Sequence, residues 1–528
     1  MRNQRARFLF RAAVGALLVL GPIVFASSPT QDRSATGRIR RGEHVVVVVW
    51  DGMRPDFVSE QNTPTLWKLA QAGVIFQNHH SVYPSATIVN GTAINTGVNP
   101  NHGGILVNHD YRPEIDGQKS IDVENAGVVR KGDQLSGNKY LGIPTIAELI
   151  HQQGGKTAIA TAKTVGLLFD RHADGRTGQN IFAGESLPHD GVTEIVKRLG
   201  AFPSATQPAG RDAWTTKVLT DCLWQDGVPE FSLLWLSEPD DTEHRTAPGA
   251  PQAITAIKSS DDNLARVLQV LDKHNARSTT DIFVVSDHGF STISRAIDVR
   301  KILRDAGLDA VTEFTNEPKS SQVMIVGNGG TVLFYVIGHD TTVTRRLVEF
   351  LQQTDFAGVI FTREPMTGTF TLGEARIDNE HAPDVEMAFR WDENKNQFGV
   401  AGMMDGDWQR AAGKGTHATL SKFDMHNILI AAGPDFRRGG ADLTASGNVD
   451  LAPTILQILG IKSSSAMDGR VLIEAMEPAE VQALSTATET IDATKKFSLG
   501  TWRQHLQISR AGSTIYFDEG NGVFQREQ

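Results

Sequence analysis

The stretch His44–Gly52 (HVVVVVWDG) carries five consecutive valines, then a tryptophan and an aspartate. A continuous β-branched run predicts a strand that is buried on both faces, as in a parallel sheet covered by helices. Asp51 follows this strand directly, where the carboxyl ends of an open α/β sheet deliver side chains into a crevice. The stretch therefore predicts the class of the sheet and the first residue of a binding site.

Strand-like and helix-like stretches alternate along the rest of the chain. Leucine and alanine recur at helical spacing in Thr63–Gly73, and a longer helix is predicted over Pro251–His274. Further strands are predicted over Lys156–Thr161, Phe231–Leu236, Asp281–Ser286, Val332–Ile337, Val385–Trp391 and Asn427–Ala432. This alternation favours an α/β fold, a doubly wound and mostly parallel sheet flanked by helices.

Changes in composition suggest how the chain is divided. Residues 44–475 are predicted to form one domain, in which 98–140 and 363–415, both rich in Gly, Asn and Asp, are insertions or a cap. Residues 27–43 are predicted to be a linker. Residues 476–528 are a C-terminal extension, where strand-like pieces at Gln504–Ile508 and Thr514–Phe517 flank a small-residue turn and favour a hairpin.

The first 26 residues are typical of a secretory signal peptide. An apolar stretch, Ala12–Ala26, is short for a membrane span, and the small residues Val24 and Ala26 suit cleavage after Ala26. The basic residues before it are Arg2, Arg5, Arg7 and Arg11. We expect cleavage and no stable membrane span afterwards; the alternative is an uncleaved N-terminal anchor.

Composition narrows the class and the location of the protein. The 528 residues include 51 Lys and Arg against 61 Asp and Glu, a net charge of −10, without a basic block, which disfavours a nucleic-acid-coating role. Cys222 is the only cysteine, which excludes an internal disulfide. An exported protein without disulfides favours the bacterial periplasm or secretion from a bacterium. The oligomeric state stays open.

Acidic residues and histidines follow the predicted strands at spacings suited to metal binding. Asp240 lies just past one strand and His244 four residues later, so that both can face one cation from one helical turn. Asp287 and His288 end another strand, and His417 lies in a small-residue loop (Lys414–Leu420, KGTHATL). Mixed carboxylate and imidazole ligands suit zinc better than calcium or magnesium.

A candidate nucleophile lies in Tyr83–Gly97 (YPSATIVNGTAINTG). Thr87 is predicted at the N-terminus of a helix, where backbone N–H groups favour an anion. Ser85 is the nearest rival hydroxyl, and the amide of Asn90, one turn on, can reach the same anion. Lys163 follows a predicted strand and can also reach the site; the alternative is a solvated loop lysine.

The ordered set Asp51, Thr87 with Asn90, Asp240 with His244, Asp287 with His288, and His417 resembles the alkaline phosphatase superfamily. More narrowly, it resembles the type I phosphodiesterase and nucleotide pyrophosphatase family, from about Val45 to Asp468. The resemblance implies two Zn²⁺ per chain and a covalent phosphothreonine on Thr87. It implies that one zinc is held by Asp240, His244 and His417, and the other by Asp51, Asp287, His288 and the Thr87 oxygen.

The resemblance leaves two substrate classes open. The expected substrate is a small phosphodiester or nucleotide pyrophosphate, because Val165 stands where phosphatase and phosphonoacetate hydrolase relatives carry a second basic residue. Against this, Ile88 replaces the aromatic residue that nucleotide-hydrolysing members often carry after the nucleophile. The alternative is a phosphomonoesterase or a phosphonoacetate-hydrolase-like enzyme. A non-catalytic binding protein or an envelope phosphoryl transferase is disfavoured, since every expected ligand and the nucleophile are present.

Overall fold

A computed structural model of the chain describes residues 42–463, 465–477 and 484–527. The predicted signal peptide and nearly all of the predicted linker lie outside the described residues. Within these ranges no helix is both long enough and apolar enough to cross a membrane.

The central element of the fold is a nine-stranded sheet. In spatial order its strands are Ala441–Asp442, Val74–Phe76, Leu429–Ala432, Thr280–Val285, His44–Trp50, Phe231–Leu236, Thr157–Thr161, Gly178–Phe182 and Glu185–Leu187. The five strands from Thr280–Val285 to Gly178–Phe182 pair in parallel. Their neighbours Leu429–Ala432 and Glu185–Leu187 pair with them antiparallel. The predicted α/β class, with a mostly parallel sheet flanked by helices, is confirmed.

The five valines of the central strand pack into two separate cores, because side chains alternate between the two faces of a strand. Val45, Val47 and Val49 lie in one core with Ile88 and with residues of the helix Leu451–Leu459. Val46 and Val48 lie in the other core, where they pack with residues of the helices Pro64–Ala72 and Pro251–Lys273. All five side chains are fully buried, so the run that predicted a two-sided strand does lie between two helical layers.

Fourteen α-helices occur in the described residues. They are Pro64–Ala72, Thr87–Thr96, Pro100–Gly103, Ala126–Ser136, Ile146–Gln152, Gly166–Phe169, Gly191–Leu199, Pro208–Lys217, Asp240–Arg245, Pro251–Lys273, Val299–Asp305, Thr341–Leu351, Lys422–Met425 and Leu451–Leu459. Short 3₁₀ turns occupy Pro55–Phe57, Arg277–Thr279, Asn448–Asp450 and Ile473–Ala475, and a π-helical turn occupies Val218–Leu223.

Two further sheets extend the domain. A six-stranded sheet contains, in order, Ala310–Val311, Val323–Gly327, Thr331–Val336, Val385–Phe389, Ala357–Thr362 and Phe370–Thr371. A four-stranded sheet contains Trp391–Lys395, Ala401–Gly406, Ser291–Ala296 and Gly415–Thr416. The segment 363–415 supplies an interior strand to each, so it is built into the sheets rather than appended as a cap. Its polar residues lie in the turns between those strands and in the edge strand Trp391–Lys395.

The segment 98–140 contains mainly short elements. It includes the helices Pro100–Gly103 and Ala126–Ser136 and a two-stranded pair, His109–Asp110 with Ile121–Asp122. A second two-stranded pair, His79–His80 with Ser446–Gly447, lies just before the predicted nucleophile segment.

The C-terminal residues form a three-stranded antiparallel sheet of Thr486–Phe497, Gly500–Ala511 and Thr514–Arg526. The predicted hairpin corresponds to the last two strands, which are longer than the sequence indicated. The turn between them contains Gly512 with a φ of +61°, a conformation that favours glycine. The first strand was not predicted, because TATETIDATKKF lacks an apolar alternation.

The helix Pro64–Ala72 is capped from another helix. Its own N-cap residue, Thr63, makes no side-chain cap. Instead, the carboxylate of Asp261, on Pro251–Lys273, accepts hydrogen bonds from the backbone N–H groups of Leu66 (N···O 2.8 Å) and Thr65 (2.9 Å). One buried carboxylate thus satisfies two donors that the first turn of a helix leaves free.

We expect Asp261→Ala to lower the free energy of unfolding by about 1–3 kcal/mol, because both N–H groups lose their acceptor. Its exposed neighbour on the same helix supplies the matched control: Asp262→Ala should change this free energy by less than about 0.5 kcal/mol. Urea denaturation of the two variants measures the difference. Equal losses in both would contradict the capping role.

Candidate active site

A cavity of about 330 Å³ lies at the carboxyl ends of the parallel strands. Its lining includes Thr87, Lys163, Asp240, His244 and His417 from the predicted site. These residues come from separate parts of the chain and meet there because each follows the end of a strand or begins a helix next to one.

The first ligand cluster is Asp240, His244 and His417. The helix Asp240–Arg245 sets the first two residues one turn apart, and His417 enters from the loop after the short strand Gly415–Thr416. The Oδ1 atom of Asp240 lies 3.2 Å from Nε2 of His244 and 3.5 Å from Nε2 of His417. The three ligand atoms therefore converge on one point.

The second cluster is Asp51, Asp287 and His288, and all three side chains are fully buried. Nε2 of His288 lies 3.3 Å from Oδ2 of Asp287 and 3.6 Å from Oδ1 of Asp51. The ring of His288 stacks on that of His417, with centroids 3.7 Å apart. The two clusters are therefore adjacent, and these stacked imidazoles form the contact between them.

The hydrogen bonds around the carboxylates fit bound metal ions. Trp235 donates from Nε1 to Oδ2 of Asp51 (2.8 Å), and the Gly52 N–H donates to Oδ1 of Asp287 (3.0 Å). The oxygens left over, Oδ1 of Asp51, Oδ2 of Asp287 and Oδ1 of Asp240, are buried without a hydrogen-bond partner. A buried carboxylate oxygen without a partner is costly, and these three atoms face the histidine nitrogens.

The three histidines are oriented in the same way. Nδ1 of His244, His288 and His417 lies 3.1, 2.8 and 2.8 Å from the backbone carbonyl oxygen of Gly415, Gly289 and Ser85, respectively. A proton on Nδ1 is donated to each carbonyl, so Nε2 keeps its lone pair toward the cluster, as in metal-binding histidines. Burial lowers the pKa of His244 and of His417, which favours the neutral imidazole that binds a metal.

A third cluster, His80 with His426 and Asp518, has a different geometry. Nε2 of His80 lies 2.9 Å from Oδ1 of Asp518, which also accepts a hydrogen bond from the Ser509 hydroxyl at 2.9 Å. Neither carboxylate oxygen of Asp518 lacks a partner. Hydrogen bonds satisfy the carboxylate of this cluster, whereas each carboxylate of the two clusters in the crevice keeps one oxygen without a partner.

Lys163 lies inside the site rather than in solvent. Its Nζ is 2.5 Å from Oδ2 of Asp240 and 3.0 Å from Oδ2 of Asp51, and so bridges the two clusters. Burial alone would lower the pKa of Lys163, but the carboxylates of Asp240 and Asp51 outweigh it and raise the pKa well above its usual value. The ammonium group contacts two of the three buried carboxylates of the clusters, so these carboxylates keep an excess of negative charge.

Thr87 begins the helix Thr87–Thr96, and its hydroxyl lies 3.3 Å from Nε2 of His288. It therefore adjoins the second cluster and the cavity at once. The rival hydroxyl of Ser85 is fully buried and donates to the carbonyl of Thr419 (2.8 Å), away from the cavity lining. Of the two hydroxyls, only that of Thr87 is placed to react with a bound phosphate.

The predicted role of Asn90 as an anion ligand is wrong in this structure. Its Oδ1 accepts from the Val82 N–H (2.7 Å), and its Nδ2 donates to carbonyls that include those of Val82 (3.2 Å) and Ala86 (3.1 Å). Asn90 is fully buried and does not line the cavity. One turn of helix turns its side chain back onto the preceding loop, where it stabilises the approach to Thr87.

Asn108 lies where Asn90 was expected. It lines the cavity, and its Oδ1 accepts from the Ile88 N–H at 3.0 Å, which leaves the side-chain NH₂ group to donate. Sequence reasoning also missed Glu124, Arg211 and Arg410 in the cavity wall. Burial raises the pKa of Glu124 to about 7. None of these residues follows a predicted strand or belongs to a spaced motif.

Comparison with known proteins gives a family and several relatives. The model of the type I phosphodiesterase / nucleotide pyrophosphatase family matches residues 45–363. A venom phosphodiesterase of Naja atra is 24% identical over 257 residues, which cover 47% of this chain and 26% of the relative. Ectonucleotide pyrophosphatase/phosphodiesterase family member 1 of Homo sapiens is 23% identical over 265 residues, which cover 48% of this chain and 24% of the relative. The chain spans about a quarter of the length of these two relatives.

Solved structures show the same fold. Human ectonucleotide pyrophosphatase/phosphodiesterase 5 superposes with a TM-score of 0.59 and 18% identity, covering 82% of this chain and all of that chain. The murine protein, as an inactive threonine-to-alanine variant in complex with AMP, gives a TM-score of 0.59 and 17% identity over 82% of this chain. Because the family model covers more than half of the sequence, the chain belongs to the type I phosphodiesterase / nucleotide pyrophosphatase family.

Proposed function

We propose that this protein hydrolyses phosphodiester or nucleotide pyrophosphate bonds through a covalent phosphothreonine on Thr87, at a site that holds two zinc ions. The observation that carries the proposal is the position of the Thr87 hydroxyl, which lies 3.3 Å from His288 of the second cluster and lines the same cavity as the three residues of the first cluster. The activities named for the relatives support this reaction class.

The donor set supports zinc at both clusters. Asp240, His244 and His417 would hold one ion, and Asp51, Asp287, His288 and the Thr87 oxygen the other. Bound zinc would supply Lewis-acid stabilisation of the attacking and leaving oxygens of an in-line displacement. The partnerless carboxylate oxygens support two dications, because two such ions offset the excess negative charge of the crevice.

Thr87 would act as the nucleophile. Its oxygen, having lost the hydroxyl proton to solvent, attacks phosphorus, and the bond from phosphorus to the leaving oxygen breaks in the same displacement. The leaving group departs with that electron pair, and one substituent of the diester stays on the phosphothreonine. Water then attacks phosphorus, so that the bond to Thr87 breaks and a monoester is released.

The oxygens of phosphorus that do not react need donors as charge develops on them. The side-chain NH₂ of Asn108 lies beside Thr87 in the cavity, and the helix that Thr87 begins adds the positive end of its dipole. The inactive threonine-to-alanine variant of the murine relative is consistent with a mechanism that depends on a threonine.

Replacing the nucleophile gives the sharpest test of the covalent route. Thr87→Ala should lower kcat toward bis-p-nitrophenyl phosphate by at least about a thousandfold, because it removes the hydroxyl that adjoins the second ligand cluster. Ser85→Ala is the matched control, since it removes the neighbouring hydroxyl that lies outside the cavity, and should keep most of the activity. An active Thr87→Ala enzyme beside an inactive Ser85→Ala enzyme would reassign the nucleophile.

Metal content tests the two-zinc assignment. Mass-spectrometric analysis of the purified protein should find about two zinc ions per chain, and His417→Ala should reduce this to about one. His426→Ala is the control, because the cluster that contains His426 is satisfied by hydrogen bonds, and should leave the count unchanged. A fully active protein with one zinc or none would overturn the assignment.

One observation favours a second candidate function, the hydrolysis of phosphomonoesters or phosphonates. A dianionic group needs a further positive charge, and the Lys163 ammonium lies in the cavity between the clusters. In the diesterase that we propose, the same ammonium serves to hold Asp51 and Asp240 in place.

The two functions predict different results for Lys163→Ala. A diesterase should lose activity toward p-nitrophenyl phosphate and bis-p-nitrophenyl phosphate by similar factors, because the change acts through the shared carboxylates. A monoesterase should lose about thirtyfold more toward the monoester, the equivalent of one charge-assisted contact of about 2 kcal/mol. The ratio of the two kcat/KM values decides between them, with zinc content measured on the same samples.

A further inference from the structure

The cavity wall carries three basic side chains, Lys163, Arg211 and Arg410, and they differ in what already holds them. Lys163 is paired with two carboxylates. Arg211 has Nη1 3.8 Å from Oδ2 of Asp241, and its guanidinium lies 4.7 Å from the centre of the Phe202 ring. Arg410 forms no hydrogen bond and no ion pair with any residue that the structure describes.

The nearby carboxylate of Asp407 is not available to pair with Arg410. Its Oδ2 accepts hydrogen bonds from the Gly329 N–H (2.8 Å) and from Nε2 of Gln409 (2.9 Å), and its Oδ1 accepts from the Gln409 N–H (2.9 Å). Asp407 is buried, so both of its carboxylate oxygens are shielded from solvent and bonded to these protein donors. The carboxylate shapes the turn, and it meets the charge of Arg410 without forming an ion pair with it.

That turn is held firmly against the rest of the domain. It follows the strand Ala401–Gly406, and the Asp407 N–H donates to the Gly329 carbonyl at 2.8 Å. Nε2 of Gln409 also donates to the Gly327 carbonyl at 2.7 Å. The backbone that presents Arg410 is therefore anchored, which reduces the entropy lost when the side chain binds a ligand.

Arg410 is placed near the first ligand cluster. Arg410 lines the same cavity as His244 and His417 of that cluster. The side chain is half-buried in the cavity wall. A ligand whose phosphorus lies at the clusters can thus extend a neighbouring group toward Arg410.

The chemistry of the wall restricts what that group is. No Phe, Tyr or Trp side chain is among the described lining residues, and the rings there are the imidazoles of His109, His244 and His417. A guanidinium presents a planar fork of donors that matches phosphate or carboxylate oxygens. Arg410 therefore gives the wall a donor group that is suited to a second anion.

We infer that Arg410 is a specificity-determining residue that binds the second phosphoryl group of a pyrophosphate substrate. This inference rests on the proposed function, and it selects nucleotide pyrophosphates over simple diesters within that function. In a nucleotide pyrophosphate a phosphoric anhydride bond joins two phosphoryl groups, so a second anion lies next to the scissile phosphorus.

The test compares substrates that differ in this one group. UDP-glucose carries a pyrophosphate, p-nitrophenyl thymidine 5′-phosphate carries a similar pyrimidine nucleoside on a single phosphate, and bis-p-nitrophenyl phosphate carries neither. In Arg410→Ala, kcat/KM for UDP-glucose should fall at least about tenfold, while the values for the two single-phosphate diesters change less than about threefold. Arg410→Lys should fall between, because it keeps the charge and loses the fork.

Arg245→Ala is the matched control. Arg245 lies on the same helix as His244 but is exposed and outside the cavity lining, so its removal takes away an equal charge without touching a ligand. It should change kcat/KM for all three substrates by less than about threefold. Melting temperatures and zinc content should match the wild type in every variant.

The outcomes distinguish a failure of this inference from a failure of the proposed function. An equal loss toward all three substrates in Arg410→Ala, or no loss toward UDP-glucose, would overturn the role of Arg410 and leave the diesterase function standing. A wild-type enzyme that hydrolyses none of the three substrates would overturn the proposed function and this inference with it.

Discussion

The burial of three carboxylates in one crevice is the constraint on which the rest of the structure depends. Asp51, Asp240 and Asp287 lie almost completely out of water, with the single ammonium of Lys163 to balance them. Burial and the neighbouring Asp287 raise the pKa of Asp51 well above its usual value. Charges held this way are costly unless cations compensate them, so the arrangement favours the binding of metal ions.

The parallel sheet makes this arrangement possible. The strands His44–Trp50, Phe231–Leu236 and Thr280–Val285 lie side by side with matching registers, so the residues after their ends meet at one edge. Helical layers cover both faces of the sheet, which keeps water from the carboxylates. Trp235 belongs to one of these strands and orients Asp51 on the next, so the sheet supplies the supporting hydrogen bonds as well as the ligands.

A buried amide network supports the loop before Thr87, the residue that we propose as the nucleophile. Nδ2 of Asn448 donates to Oδ1 of Asn90 (2.9 Å) and to the Asp287 carbonyl (2.7 Å), and Oδ1 of Asn448 lies 3.0 Å from Nε2 of His79. The loop before Thr87 is thereby tied to the wall that carries the second cluster. The C-terminal sheet joins this support through Asp518 and its hydrogen bond with His80. Its strand Thr514–Arg526 thus contributes to positioning the loop without reaching the cavity.

The sequence by itself determined the elements whose signal is local. The valine run, the apolar strands that end in Asp or Asp-His, and the motif order were enough to predict the fold class and the residues that gather in the two clusters, because strand ends of a parallel sheet meet wherever the chain goes between them. Only the tertiary structure decided the choice between chemically equivalent neighbours. Asn90 and Asn108 are both asparagines near Thr87, and Ser85 and Thr87 both carry hydroxyls. Packing nevertheless turns the side chains of Asn90 and Ser85 away from the cavity. Lys163 and Arg410 are ordinary in the sequence, since the partners that a basic side chain finds or lacks lie far along the chain and depend on long-range packing that no local pattern records.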